Sequence, residues 1–328
     1  VPPINHALCR GDAVFDADIN GDGLPDLITP NVSTRNVSVL LGTANGMFQA
    51  PVSSSGGGSV GMLPQAVAVA DFTGDGSLDV VTADYNSNRL TLLVGNKTAA
   101  FSTGVSIGVS GGSGTIILPN YVVSGDFNKD GKPDLAVPRI ASMSNVVLLP
   151  GTGMQATPVG TLASYTAGGN PYALVAGDWN GDGNLDLAAN NSMTNNVTVL
   201  LGSANGMMTV SGTQLGVGMR PEHMTAVDVN NDGIVDFIVA DTTDDGTTLR
   251  MGFSVYQGTS AYSTGPNGMD PATVGAPGFN EHYYLNANPQ VAALVAQGSF
   301  ASGLAHFLAV GRAEGKAGFA PPPAVRLT

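Results

Sequence analysis

The chain has 328 residues, and its 12 Lys and Arg residues against 25 Asp and Glu residues leave a formal net charge of −13. So few basic residues exclude a surface that neutralises nucleic-acid phosphates, and no apolar run is long enough to span a membrane as a helix. A single cysteine, Cys9, excludes an internal disulfide framework.

The first strand predicted along the chain leads into a nine-residue segment, DINGDGLPD, at residues 18–26. The pattern D-x-[N/T]-x-D-G-x-x-D recurs at 71–79, 126–134, 178–186 and 228–236. Short alternating apolar runs precede the copies and β-branched apolar runs follow them, as in QAVAVADF before the second copy and LDVVTADY after it. This periodicity predicts that each copy is a loop between two β-strands.

The spacing of oxygen-bearing side chains within each loop indicates a metal site. Alternation turns the side chains at positions 1, 3 and 5 inward, and the glycine at position 6 permits a sharp turn. Position 7 offers its backbone carbonyl and position 9 a further carboxylate. An all-oxygen shell suits calcium, with magnesium as second choice, and the lack of His and Cys in the loops excludes zinc. A turn rich in Asp, Asn and Gly that binds nothing is the alternative.

We therefore predict about five structural calcium ions, one for each loop. The predicted ligands are Asp18, Asn20, Asp22, Leu24 and Asp26; Asp71, Thr73, Asp75, Ser77 and Asp79; Asp126, Asn128, Asp130, Lys132 and Asp134; Asp178, Asn180, Asp182, Asn184 and Asp186; and Asp228, Asn230, Asp232, Ile234 and Asp236. The loops hold 15 of the 25 acidic residues, so five divalent ions would add ten positive charges and leave a net charge of −3.

The loops belong to a longer repeat. Their first aspartates are separated by 53, 55, 52 and 50 residues, and NVSVLLGTANGM at 36–47 reappears as NVTVLLGSANGM at 196–207. Looser copies lie at 89–101 and 145–154, so each unit predicts four antiparallel strands, which is one blade of a β-propeller. We predict an all-β propeller of five four-stranded blades over residues 1–270. A degenerate unit or another chain could also complete the ring.

The loop pattern and the repeat length resemble FG-GAP/VCBS-type repeats, the calcium-loop blades of integrin α-subunit propellers and of many bacterial surface proteins. The resemblance covers roughly residues 5–265, and the chain departs from it at Thr73, which replaces Asn, and in having five motifs where seven blades are usual. It implies that the ions are mainly structural and fix the turn between the first two strands of a blade. It also implies that any binding surface lies on loops at one face or in grooves between blades.

The C-terminal part, residues 271–328, changes from alternation to helical spacing. One short helix is predicted to begin at Pro289 and end at Gly298, and a second to cover residues 302–310. The segment resembles a short helical module near the ends of large secreted bacterial proteins. Two helices this short cannot bury their apolar faces alone, so we expect them to dock on the propeller or on a neighbouring subunit. A proline-rich tail follows.

No side chains stand out as catalytic. The four histidines have no metal-ligand spacing, and no nucleophile is paired with a base. The tripeptide at 10–12, Arg-Gly-Asp, is short enough to occur by chance. Trp179 follows the first aspartate of the fourth loop, where Phe72 and Phe127 stand in sister repeats, so it is predicted to pack between blades and not to serve as a sugar platform.

These observations predict an extracellular, calcium-stabilised surface protein that is not an enzyme. Extracellular calcium is near millimolar, which suits such loops. The expected role is a self-associating structural or filament protein or an adhesin, with copies of itself or cell-surface groups as partners and no nucleic acid. A lectin-like carbohydrate-binding propeller is the alternative, and an enzyme is a third hypothesis that lacks a candidate site.

Overall fold

The computed structural model describes residues 14–54, 63–102, 104–109, 118–140, 145–156, 158–227, 235–244 and 249–256. Apart from a single 3-10 turn at Tyr85–Ser87, all regular structure in these ranges is β-strand. No helix within them is long and apolar enough to cross a membrane. The predicted C-terminal helices and the domain boundary at residue 270 lie outside the described residues.

The described residues form five antiparallel sheets that follow one another along the chain. The first four sheets are β1 (Phe15–Ala17), β2 (Asp26–Asn31), β3 (Asn36–Leu40) and β4 (Val52–Ser54); β5 (Pro64–Ala70), β6 (Asp79–Asp84), β7 (Arg89–Leu93) and β8 (Val105–Gly108); β9 (Val123–Gly125), β10 (Asp134–Arg139), β11 (Asn145–Leu149) and β12 (Ala163–Thr166); and β13 (Pro171–Gly177), β14 (Asp186–Asn191), β15 (Asn196–Leu201) and β16 (Thr209–Gly216). The fifth contains β17 (Met219–Val227), β18 (Asp236–Asp244) and β19 (Leu249–Tyr256) in the described part of the chain.

Within each sheet the strands pair in chain order, so every sheet is built from one sequence repeat. Neighbouring strands are antiparallel, and the hairpin between the second and third strands is tight; in the first sheet Asn31 pairs with Asn36. This arrangement confirms the prediction of an all-β propeller of four-stranded blades. We number the blades 1 to 5 in chain order.

The second strands of blades 2, 3 and 4 are buried on both faces, because each of these blades packs between two others. All six residues of β6, β10 and β14 are buried. The apolar core is accordingly divided into clusters between consecutive blades: Val39 with Val80, Leu92 with Val147, Val146 with Ala189, and Val199 with Val239 belong to the four clusters in turn. The apolar residues of these strands, which are Ala, Val, Leu and Pro, therefore occur on both faces.

The first strands of all five blades surround a central cavity of about 360 Å³. Its wall includes Phe15 from blade 1, Val67 from blade 2, Val123 from blade 3, Leu174 from blade 4 and Met224 from blade 5. The first strand is thus the innermost in each blade. The loop between the first and second strands, where the aspartate pattern falls, lies at one end of each blade.

Candidate metal loops

The structure describes four of the five aspartate loops in full. The loops at 18–26, 71–79, 126–134 and 178–186 each join the innermost strand of a blade to its second strand. In the fifth, Asp228, Asn230, Asp232 and Ile234 lie outside the described residues, and Asp236 begins β18 as a fully buried residue. The sequence-predicted positions are therefore brought together in the same way in blades 1 to 4.

The aspartate at position 1 organises each loop through its carboxylate. In the first loop, Asp18 Oδ1 accepts the backbone N–H groups of Gly21 at 2.8 Å and Asp22 at 3.0 Å, while Oδ2 accepts that of Gly23 at 2.8 Å. Bonds from positions 5 and 6 to the position-1 carboxylate recur in the other three loops. The backbone of each loop therefore curves around the carboxylate at position 1.

Positions 3 and 5 form consecutive Asx turns. Asn20 Oδ1 accepts the N–H of Asp22 at 2.9 Å, and Asp22 Oδ1 accepts that of Leu24 at 2.9 Å. The Asn20 amide also donates to Asp22 Oδ2 at 2.9 Å, which holds the two side chains together. Each of these oxygens keeps a further lone pair. The turns therefore hold the oxygens in place and leave them able to coordinate a metal ion.

Glycines at positions 4 and 6 have left-handed backbone angles, with φ of 77° at Gly21 and 83° at Gly23. The third loop differs at position 4, where Lys129 has a φ of 59°. A side chain in this conformation costs roughly 1–2 kcal/mol, whereas glycine pays only its extra entropy. Lys129 is therefore the strained member of the set.

Replacing Lys129 by glycine is expected to stabilise the protein by about 0.5–1 kcal/mol, because the relief of strain exceeds the entropy that glycine loses on folding. Urea denaturation in millimolar calcium would measure the change. The matched control is Lys129→Ala, which removes the same charge but keeps a Cβ and should give no gain. Equal stabilisation by both variants would assign the effect to charge and contradict the argument from strain.

The aspartate at position 9 is fully buried and is held by backbone donors on both oxygens. Asp186 Oδ2 accepts the N–H of Trp179 at 3.1 Å and Oδ1 accepts that of Gly202 at 2.7 Å. Burial raises the pKa of Asp186 to about 7, and these two hydrogen bonds oppose the rise. The same two-sided bonding holds Asp26, Asp79 and Asp134. Position 9 thus acts as a structural tie between the loop and the third strand, and its predicted role as a ligand remains untested.

One of the two donors to this aspartate is a glycine just after the third strand, directly after it in blade 4 and one residue later in blades 1 to 3, and the fold requires glycine there. The four residues are Gly42, Gly95, Gly151 and Gly202. A Cβ on any of them would overlap the carbonyl oxygen of the residue at position 8 of the loop. Sequence analysis did not assign these glycines a role, although their recurrence in LLG, LVG, LPG and LLG is a signal that could have found them.

The hairpin between the third and fourth strands of one blade contacts the aspartate loop of the preceding blade. A Cβ placed on Gly74 would lie 3.2 Å from the carbonyl oxygen of Gly153. A Cβ placed on Gly206 would lie 2.7 Å from the Cβ of Asn128. The loops of blades 2 and 3 therefore each contact the following blade, and a change in loop conformation would alter that contact.

The residues suit a calcium ion in their chemistry. Each described loop offers only oxygen atoms, from two aspartates and one Asn or Thr in a tight turn, and calcium accepts six to eight such ligands. In the described residues no three His, Cys, Asp or Glu side chains converge as a metal centre, because the position-9 carboxylate turns to the backbone. Calcium binding, and the position-7 carbonyls as ligands, remain predictions.

Trp179 lies in the core, as predicted. Its side chain is 1% exposed and meets Phe237 of blade 5 edge to face, with ring centroids 5.3 Å apart. Phe237 stacks in turn on Tyr256. The indole therefore packs blade 4 against blade 5 and is not available to stack on a sugar from solvent.

Comparison with known proteins identifies the repeat. The family model described as FG-GAP-like repeat matches residues 18–82, 71–137 and 178–239, which together exceed half of the chain. Among curated proteins, no sequence is similar enough to count as a match.

Solved structures share the architecture at low sequence identity. A putative 6-phosphogluconolactonase from Bacteroides fragilis is 14% identical over 75% of this chain and 71% of that one, with a TM-score of 0.51. The Photorhabdus luminescens Tc holotoxin pore is 17% identical over 79% of this chain, with a TM-score of 0.43, and the V. cholerae biofilm matrix protein Bap1 is 16% identical over 80%, with a TM-score of 0.44. The chain spans only 12% of the toxin chain and 38% of the Bap1 chain.

Proposed function

The chain belongs to the FG-GAP-like repeat family, and from that membership we propose that it is an extracellular, calcium-stabilised surface protein without enzymatic activity, which self-associates or mediates adhesion. The observation that carries the proposal is the repetition of one oxygen-lined loop at the same end of four described blades. Two of these loops also contact the next blade. An ion in such a loop would stiffen both the loop and the contact between blades.

The absence of catalysis is proposed on the same repetition. A catalytic centre requires one site whose acid, base or nucleophile differs from its surroundings, whereas here the same side chains recur from blade to blade. The similarity to a 6-phosphogluconolactonase concerns the fold alone at 14% identity.

Recurring exposed methionines support a role in surface contacts. Met47, Met154 and Met207 occupy the same hairpin in blades 1, 3 and 4, with exposed fractions of 36%, 54% and 59%. Met154 and Met207 follow the glycines that contact the aspartate loops of the preceding blades. Flexible thioether side chains suit adaptable interfaces, and their position beside the loops would link association to calcium.

Light scattering of the full chain in about 1 mM calcium, before and after addition of a chelator, tests the proposal. We expect a large, heterogeneous mass in calcium that falls on chelation. The double variant Met154→Ser/Met207→Ser should reduce the mass without changing the unfolding midpoint by more than a few degrees.

The matched control is Met193→Ser, because Met193 is 77% exposed but lies in the turn between the second and third strands, away from the loops. This variant should assemble as the parent does. A monomer under both conditions would contradict self-association and direct attention to glycan binding by a defined monomer. If neither the mass nor the unfolding midpoint changed with calcium, the prediction that the loops bind calcium would be wrong.

A further inference from the structure

The sixth residue of the second strand is polar and buried in every blade. These residues are Asn31, Asp84, Arg139, Asn191 and Asp241, with exposed fractions of 1%, 0%, 3%, 0% and 5%. In blade 3 the strand begins at Asp134, at the aspartate loop, and Arg139 lies five residues further along, roughly 16 Å away. This row of side chains is therefore at the end of the propeller opposite the loops.

In four blades the buried group makes at least two hydrogen bonds within its own blade or to the adjoining turn. The partners are Asn36 and Ser38 for Asn31, Thr82 and Thr91 for Asp84, Asn196 and Thr198 for Asn191, and Ser254 with the backbone N–H of Gly218 for Asp241. These bonds offset the cost of removing the polar groups from water.

Blade 3 is the exception. The Arg139 guanidinium makes no hydrogen bond or ion pair with any residue that the structure describes, and its Nε is fully shielded from solvent without an acceptor. Asn145 pairs with Arg139 across β10 and β11, and its amide nitrogen donates to Ser164 Oγ at 2.5 Å. Its Oδ1 accepts no hydrogen bond from a described residue.

A second asparagine lies at the same level on the inner side. Asn120 is three residues before Val123, which pairs with Ala136, and Arg139 is three residues beyond Ala136 on the antiparallel strand. Asn120 is 4% exposed, and neither its amide nitrogen nor its amide oxygen has a hydrogen-bond partner among the described residues. Two buried side chains, Arg139 and Asn120, and the partly exposed Asn145 thus have donors and acceptors that no described residue uses.

The adjoining chain supplies no counter-charge for Arg139. The segments 110–117 and 141–144, which adjoin β9 and β10 in sequence, contain no Asp or Glu. Asp84, at the same position in blade 2, is bonded to Thr82 and Thr91 and lies 3.9 Å from Arg89. A buried cation without an anion is strongly unfavourable, and arginine presents a planar fork of donors that matches an oxyanion.

We propose that Arg139, Asn120 and Asn145 form an anion-binding site in blade 3 that takes a carboxylate or phosphate group. The guanidinium donates paired hydrogen bonds to two oxygens of the anion, and the Asn120 amide donates a third. The anion supplies the negative charge that no described residue places there. The site is at the opposite end of the propeller from the aspartate loops, so it is independent of calcium.

The test is thermal unfolding of the full chain in sodium acetate or sodium sulfate against sodium chloride at equal ionic strength, with acetate as the carboxylate probe and sulfate as the phosphate-like probe. At a hundredfold excess over the dissociation constant, the bound anion should raise the midpoint by about 5–10 °C. Arg139→Met should abolish the rise and should be no less stable than the parent in chloride, because it removes an uncompensated buried charge.

Arg89→Met is the matched control, since Arg89 is the partly exposed arginine of the neighbouring blade and should leave the response intact. Arg139→Lys keeps the charge but not the fork, and it should weaken the response if Arg139→Met does not fold. Equal responses of the parent and Arg139→Met, or no response in either, would overturn the proposal. A third outcome would also overturn it: neither anion changes the unfolding midpoint of the parent, and Arg139→Met lowers the midpoint equally in every buffer. A carboxylate from residues 257–328 would then occupy the site.

Discussion

Removal of calcium is expected to lower the unfolding midpoint of this protein by on the order of 10 °C. A calcium site of an extracellular module has a dissociation constant of about 0.1–1 mM, so in about 1 mM calcium each site contributes about 0.4–1.4 kcal/mol to the free energy of unfolding. Five loops together contribute about 2–7 kcal/mol. Without the ion, the aspartates at positions 1 and 5 repel one another, and in the described loops hydrogen bonds from backbone N–H groups and from the Asn20 and Asn180 amides only partly offset that repulsion.

Calorimetry in about 1 mM calcium and again after addition of a chelator measures the effect. The sharpest variant is Asp130→Asn, which removes one loop charge but keeps the Oδ1 that accepts the N–H of Lys132 at 3.0 Å. It should reduce the calcium-dependent part of the stability by up to about a fifth, the full share of one of five sites.

The matched control for this charge change is Glu222→Gln, because Glu222 is exposed and forms only a surface ion pair with Arg220 at 3.8 Å. Its calcium increment should equal that of the parent. Equal increments for the parent and Asp130→Asn would show that the third loop does not bind calcium. A midpoint that is the same with and without the chelator would reject calcium stabilisation altogether.

Replacement of Gly202 by alanine is expected to cost about 3–5 kcal/mol, the largest effect that we predict for a single substitution. The added Cβ would overlap the carbonyl oxygen of Leu185, which is backbone and cannot rotate away. Relief requires the third strand to move away from the loop, which lengthens the 2.7 Å hydrogen bond from Gly202 to Asp186. Asp186 is buried and depends on that donor, so the steric and electrostatic costs add.

Urea denaturation compares Gly202→Ala with Gly108→Ala. A Cβ on Gly108 would meet nothing within 4 Å, and this residue is exposed in β8 with an ordinary strand backbone. The control should change the free energy of unfolding by less than about 1 kcal/mol, with alanine favoured by its lower entropy cost. Similar small changes in the free energy of unfolding at both sites would contradict the prediction. They would mean that the third strand can shift at little cost and that the hydrogen bond from Gly202 to Asp186 contributes little.

Much of the propeller was accessible from the sequence because its signals are local. The aspartate pattern, the glycines at positions 4 and 6, and the alternating strands each involve residues within about ten positions of one another. The spacing of about 50 residues between the loops then set the number of blades. The structure confirms the all-β propeller and the packing role of Trp179.

The site was only partly predictable. Positions 1, 3 and 5 of the loops point to a metal on the basis of their spacing, and the structure brings them together. The position-9 aspartate looks equivalent in sequence, yet Asp186 is bound by the backbone of Trp179 in its own loop and of Gly202, 16 residues further along. No pattern within nine residues could reveal that second donor, although the glycine itself recurs.

The sequence by itself determined where the strands, turns and oxygen-lined loops fall, because backbone angles and Asx turns are decided by a few adjacent residues. Only the tertiary structure decided that Gly206 contacts Asn128 of the preceding blade. It also decided that Arg139 is buried without a partner among the described residues, while Asp84 in the equivalent position is hydrogen-bonded to Thr82 and Thr91. The physical reason is that a buried polar group is satisfied by whichever strand or blade packs beside it. That neighbour is fixed by the burial of the apolar faces between the blades, which no single repeat contains.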